Sequence, residues 1–275
     1  MGEGRGWPGG GGWEKPNWTE EIDVAIATSA CCNCNMEAAM PTTLEAILQR
    51  RAIREFDPVE VQAAARAQIL RAACAAPSSF NSQPYRLVWI ESPAKRKRAA
   101  ELCMSQSAAQ TASALVVAVA DLGASKATTE GQLRWMRESG FAESKIREYE
   151  KKAKLAKWFY LQGWFNVFGA VKWLALKLIH LRKIIGMAPV SRQGLFKWAT
   201  KSTALACGNL MIAAESLGFN TCPMEGFDEA RLSKFLGLSR KYHEIVMVIA
   251  IGKKSAKHAV HPQWRRPLES TVTIL

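Results

Sequence analysis

The chain has 275 residues, 48% of them hydrophobic and 22% charged, with a net charge of +13. This balance supplies the core of one large domain and excludes a fibrous or wholly disordered chain. Seven cysteines without an apolar leader run exclude a small disulfide-stapled scaffold and favour reduced thiols in a cytoplasmic protein.

In chain order, residues 1–41 read as a Gly-rich tail holding Cys31, Cys32 and Cys34, without the second ligand pair a zinc site needs. Thr42 and Glu45 form a capping-box pattern that predicts a helix over 43–51. Val61, Ala65, Ile69, Ala72 and Ala73 recur at helical spacing and predict a second helix within 59–75. A short apolar run, Leu87–Ile90, predicts a strand, Lys95–Met104 a helix, and Ala114–Ala120 the clearest buried strand. A helix over 200–217 should stop at Gly218, another over Glu229–Leu236 should close at Gly237, and Val246–Ile251 should be a buried strand. Helices interleaved with a few apolar strands indicate an α+β domain over 42–275, its helices covering a small sheet.

The middle of the chain departs from that pattern. Residues 1–43 carry two Lys/Arg against six acids, a net −4, whereas residues 122–200 carry fifteen against five, a net +10. Within the basic segment, Trp158–Ile179 holds Trp158, Phe159, Trp164, Phe165, Phe168 and Trp173, with Lys172 and Lys177 as its charges. Gln162, Asn166 and the two lysines make it a poor spanning helix. A lid or dimer-packing role ranks ahead of peripheral membrane contact through 150–185. Nucleic acid is not expected as a partner, because the basic residues alternate with apolar runs. Four scattered histidines, without acidic or thiol companions, give no metal site.

Two stretches carry the chemistry. Arg50-Arg51-Ala52-Ile53-Arg54-Glu55-Phe56-Asp57 packs three guanidinium groups into five residues, and such planar, permanently charged forks suit phosphate and electron-rich heterocycles. Pro77-Ser78-Ser79-Phe80-Asn81-Ser82-Gln83-Pro84-Tyr85 is a turn rich in small hydroxyl and amide donors. Together they suggest a site for an anionic, planar cofactor.

Both stretches resemble motifs of the nitroreductase family of flavoenzymes. Two further matches follow in order: Cys222-Pro223-Met224-Glu225-Gly226-Phe227-Asp228 is similar to the family's loop beside the flavin ring, and Arg265 with the segment to Leu275 is similar to its phosphate-binding arginine and C-terminal extension. The resemblance implies a small, mostly antiparallel sheet flanked by helices in an intertwined homodimer, FMN as cofactor and NAD(P)H as electron donor. It implies ping-pong transfer to a nitroaromatic, quinone or related small-molecule acceptor, with the flavin carrying the chemistry and no catalytic side chain required. By family position Arg50 reaches the phosphate region and Arg54 the pyrimidine edge. Arg51, Ala52, Ser78, Ser79, Asn81, Pro223, Met224, Glu225, Gly226 and Arg265 complete the cofactor set, the serines and Asn81 acting across the dimer interface. Two departures stand out: Ala52 replaces a frequent serine, and Gln263 replaces a lysine found in some relatives. Phe80 either shapes an acceptor pocket or packs into the core. Two alternatives stay open: reductive dehalogenation or other specialised flavin chemistry on the same fold, and a membrane-surface binding protein using 150–185.

Overall fold

In the computed structural model the described residues are 40–160, 167–181 and 191–275. The chain divides into a unit of residues 1–39 and a unit of residues 40–275. The cysteine cluster at 31–34 and part of the aromatic run lie outside the described residues.

The sheet is α+β in class and antiparallel in its ladders. Strands β2 (Tyr85–Ile90), β3 (Ala114–Asp121), β5 (His243–Lys254) and β4 (Asn220–Met224) lie side by side in that order, and β1 (Phe56–Asp57) adds a short rung at the end of β5. All eight residues of β3 are buried, which fits a central strand covered on both faces. Its alternate residues serve two cores. Leu115, Val117 and Val119 join Val248 and Ala250 beneath α3 (Pro93–Leu102), α4 (Ser107–Thr111) and α9 (Glu229–Phe235). Val116 and Ala118 join Ile249 and Ile251 beneath α2 (Ala63–Cys74) and α8 (Arg192–Ser216).

Helix α1 (Thr43–Gln49) starts with the expected capping box: Glu45 N donates to Thr42 Oγ1, and Thr42 N donates to Glu45 Oε2 at 2.7 Å. It packs on α8. Helix α8 has 25 residues, about 37 Å at 1.5 Å per residue. It begins before residue 200, at the N-cap Ser191, whose hydroxyl accepts from Gly194 N at 3.0 Å. It ends as expected, with Gly218 at φ 70°, where a side chain would be strained.

The basic segment opens with two helices unresolved in the sequence reading, α5 (Ser125–Glu138) and the first part of α6 (Glu143–Tyr160). They form a hairpin held by buried Met136 and Ile146, an Arg137–Glu150 ion pair at 2.9 Å, and a bond from Tyr149 Oη to Gln132 Oε1 at 2.7 Å. The apolar run continues in α7 (Val167–His180). No described helix is long and apolar enough to cross a membrane.

Candidate functional site

The arginine segment is fixed by β4. Helix α1 stops at Gln49 because Arg50 turns to φ −50°, ψ 131°. The chain then runs beside the sheet, where Ala52 bridges Thr221 in parallel sense and Ile53 N donates to Thr221 O at 3.1 Å. Ile53 enters the core at 2% exposure, while Arg54 remains exposed. Burial raises the pKa of the neighbouring Cys222 thiol, and the charges of Arg54 and Arg50 pull against it. Burial also raises Glu215, opposed by the Asn220 amide and by the charges of Arg50 and Arg51. Three guanidinium groups therefore converge on one corner at the start of β4.

Their hydrogen bonds are incomplete. Arg51 Nη1 donates to Leu48 O at 3.0 Å and to Gln49 O at 2.7 Å, which satisfies carbonyls left open at the end of α1. Arg51 is thus partly a helix cap, which narrows the expectation that all three arginines are free for a ligand. Arg50 Nη1, Arg51 Nε and Thr221 Oγ1 are buried without a partner. Orphaned buried donors of this kind each cost about 1–3 kcal/mol, more when charged, so the corner is suited to an anionic oxygen ligand.

The loop expected at Pro223–Gly226 begins later in the structure. Pro223 and Met224 belong to β4, opposite Ile249 and Val248, so the turn proper starts at Glu225. Gln106 holds this turn: its Nε2 donates to Gly226 O at 2.7 Å and to Cys103 O at 3.0 Å. Asp228 N donates to Leu102 O at 2.8 Å, and the Asp228 carboxylate caps α9 by accepting from Arg231 N at 2.9 Å. A Cβ on Gly226 would lie 3.2 Å from Gln106 Nε2, so the bare backbone is what lets Gln106 approach. No motif in the sequence marks Gln106; only the fold brings it to this turn.

The Ser78–Asn81 turn is built differently. Phe80 (φ 57°), Asn81 (φ 50°) and Gln83 (φ 42°) all occupy the left-handed region, which costs of order 1 kcal/mol or more for a non-glycine residue such as Phe80. The turn is pinned by Gln83 N donating to Ser78 Oγ at 3.0 Å and by Gln83 Nε2 donating to Asn81 Oδ1 at 3.0 Å. Ser79 and Asn81 are exposed. Phe80 is 73% exposed, which rules out core packing. With Ser82, Thr128, Tyr149, Lys152 and Trp198 it lines a cleft of about 300 Å³ between this turn and the α5–α6 hairpin. Ser82 Oγ is a further buried polar atom without a partner.

One chain does not bring these two halves together. Tyr85, which follows the turn, is level with Ala120 and through it with Glu244 of β5, whereas Thr221 is level with Ile251. Seven residues of β5 separate those levels, about 23 Å along the strands, and three strand spacings separate β2 from β4, about 14 Å across. The arginine corner and the Ser78–Asn81 turn thus sit at diagonally opposite corners of the sheet, roughly 25 Å apart. Arg265 lies on the largely exposed segment after β5, where its Nη1 donates to Trp264 O at 2.9 Å.

A family model described as the Nitroreductase family matches residues 47–253. An NADH dehydrogenase of Thermus thermophilus is 27% identical over 239 residues, covering 86% of this chain and 98% of the relative. An oxygen-insensitive NAD(P)H nitroreductase of Salmonella typhimurium is 33% identical over 89 residues, covering 32% of this chain and 41% of the relative. Among solved structures, a chain of Exiguobacterium sibiricum crystallised in complex with FMN superposes with a TM-score of 0.66 at 22% identity, covering 87% of this chain and 100% of the other.

Proposed function

The chain belongs to the nitroreductase family, and on that premise we propose that it binds FMN and acts as an NAD(P)H-dependent oxidoreductase. Its acceptor is a nitroaromatic, a quinone or a related small molecule. The observation that carries this reading is the pair of buried, unpartnered guanidinium N–H groups at Arg50 Nη1 and Arg51 Nε. They are donors without an acceptor at the corner where the family motif falls, and the phosphate and ring oxygens of FMN would complete them.

Bound there, FMN would supply two-electron hydride chemistry between NAD(P)H and the acceptor, in a ping-pong order. The side chains bind and orient. Arg50 and Arg51 hold the anionic part, and Arg54 adds a fixed positive charge that favours negative charge on the ring edge. The Gln106–Gly226 bond fixes the turn after β4, so that its backbone groups keep one position. Arg265 joins the set by motif position only, and it reaches the phosphate only if the exposed C-terminal segment closes over a partner.

Ser78, Ser79 and Asn81 serve the FMN held by a second copy of the chain, because the diagonal separation forbids them from sharing a ligand with their own arginines. A homodimer would bring the two parts of the site together. Exposed Leu44, Ile47 and Leu48 on α1 and Leu205 on α8 offer the apolar surface for it. The cleft beside Phe80 then opens next to the partner's FMN and is the pocket for the acceptor, with Phe80 and Trp198 as aromatic walls.

An absorbance spectrum of the purified protein, before and after anaerobic NADH or NADPH, tests the reading. Flavin bands that bleach with nicotinamide are expected. A colourless protein that fails to take up added FMN would overturn it.

A further inference from the structure

The acceptor cleft uses only the first part of the basic segment and leaves α7 without an assignment. This helix exposes several large apolar side chains. Val171 (58%), Trp173 (50%), Leu174 (53%), Leu178 (58%) and Ile179 (46%) are open to solvent, followed by Leu181 (79%). Isolated exposed apolar residues are ordinary, but Val171, Leu174 and Leu178 recur at helical spacing and share one face, an apolar stripe that water disfavours.

The charge around it is one-sided. From Lys151 to Ala214 the chain contains eleven Lys/Arg and no Asp or Glu. With 24 acids in 275 residues, a stretch of this length would ordinarily hold five or six. Lys151 and Lys154 on α6 and Lys177 on α7 are exposed. Lys177 Nζ lies 4.7 Å from the Trp173 ring centroid, so its stem follows the apolar face while its charge stays at the border.

We infer that α7 is a docking surface for an anionic lipid bilayer, lying in the plane of the interface with Trp173, Leu174 and Leu178 among the acyl chains and the lysines among the headgroups. Three observations select this occupant. At 14 residues the helix is too short to cross a membrane. A helix within an acid-free, basic stretch of chain complements anionic headgroups, whereas a second copy of the same stretch would set like charges against each other. The surface suited to a second copy lies elsewhere, on α1 and α8, where Glu45 and Glu215 accompany the arginines. A surface-bound enzyme would meet acceptors that partition into lipid.

Sedimentation of the full-length, flavin-loaded protein with vesicles tests the inference. Binding to 70:30 phosphatidylcholine:phosphatidylserine vesicles is expected to exceed binding to pure phosphatidylcholine at least tenfold and to fall with added salt. Leu174→Glu with Leu178→Glu should abolish it, and Lys151→Gln with Lys154→Gln should weaken it severalfold, both with flavin content and nicotinamide-driven bleaching unchanged. Equal binding to both vesicle types, or none, would overturn the inference. So would a Leu174→Glu/Leu178→Glu variant that keeps vesicle binding, or one that instead lowers the oligomeric state, which would give the surface to a second copy. Loss of flavin in the unmodified protein would count against the proposed function and leave the vesicle result to be read separately.

Discussion

The two corners of the sheet that carry the proposed cofactor site differ in how they are held. The arginine corner is locked to the central ladders: Ile53 is buried, Ala52 and Ile53 pair with Thr221, and Phe56 packs against Gly252, whose added Cβ would come within 2.9 Å of the Phe56 ring. Its polar groups are nevertheless unsatisfied. The Ser78–Asn81 corner is the reverse, with an exposed, left-handed turn whose hydrogen bonds are mostly made within itself. A rigid socket with unmet donors suits binding of a fixed anion, and an exposed turn suits closing over a ligand that another molecule holds. On the proposed reading, this difference is that between the two halves of a site carried by one chain.

The largest expected effect falls on the socket. Arg50→Ala with Arg54→Ala removes two charge-assisted contacts, each worth about 1.5–3 kcal/mol, so FMN affinity should drop by at least about 100-fold. Flavin-to-protein ratio and circular dichroism would report it, with a folded, colourless protein as the expected outcome. An unchanged flavin content would mean that Arg50 and Arg54 are not the binding groups.

A smaller effect isolates the other corner. Buried Asp121 accepts from Arg86 at 2.9 Å and from Gly123 N at 2.8 Å, and lies 3.4 Å from His243 Nε2, while its own N–H donates to Pro84 O just after the turn. Burial pushes its carboxyl pKa up, but the His243 hydrogen bond, the Arg86 charge and the Gly123 N–H outweigh it and hold the pKa below the ordinary value. A depressed folded pKa contributes stability that is full above the unfolded value near 3.9 and is lost as pH falls through the folded one. Asp121→Asn should therefore cost about 2 kcal/mol in urea unfolding at neutral pH, with the difference from the parent shrinking below about pH 4. Flavin content should change less than in the arginine variant.

The smallest effect on stability belongs to Phe80. Because the ring is exposed, Phe80→Ala should change stability by no more than about 0.5 kcal/mol. Loss of one aromatic contact worth about 1 kcal/mol should raise the KM for nitrobenzene about fivefold, with the rate of flavin reduction by NAD(P)H unchanged. Equal losses in both half-reactions would place Phe80 in support of the fold instead.

Much of this comparison could be read from residue order, and the limits have physical causes. Ala114–Ala120 is apolar throughout because β3 is covered on both faces, so its pattern was plain. β4 was hidden because Asn220-Thr221-Cys222-Pro223-Met224 has no apolar run and contains a proline, which an edge strand tolerates through its free N–H side. The start of α8 was obscured because Gly194 occupies the position where a capping box would place an acid. The α5–α6 hairpin carries a helical apolar period, which went unread because its many charges set it apart as part of the basic segment. The motifs identified the donors, but their diagonal placement depends on strand register, which pairing across distant segments decides.

Complementation between two defective chains tests the two-part site most directly. Arg50→Ala/Arg54→Ala and Ser79→Ala/Asn81→Ala chains, carrying different tags and co-expressed, would be purified as the mixed dimer. If each FMN uses arginines from one copy and the Ser78–Asn81 turn from the other, one of the two sites is fully restored, and flavin content and NAD(P)H-driven bleaching should return to about half those of the unmodified dimer. A mixed dimer as empty and inactive as its two parents would contradict the account, because it would mean that each chain builds its site alone.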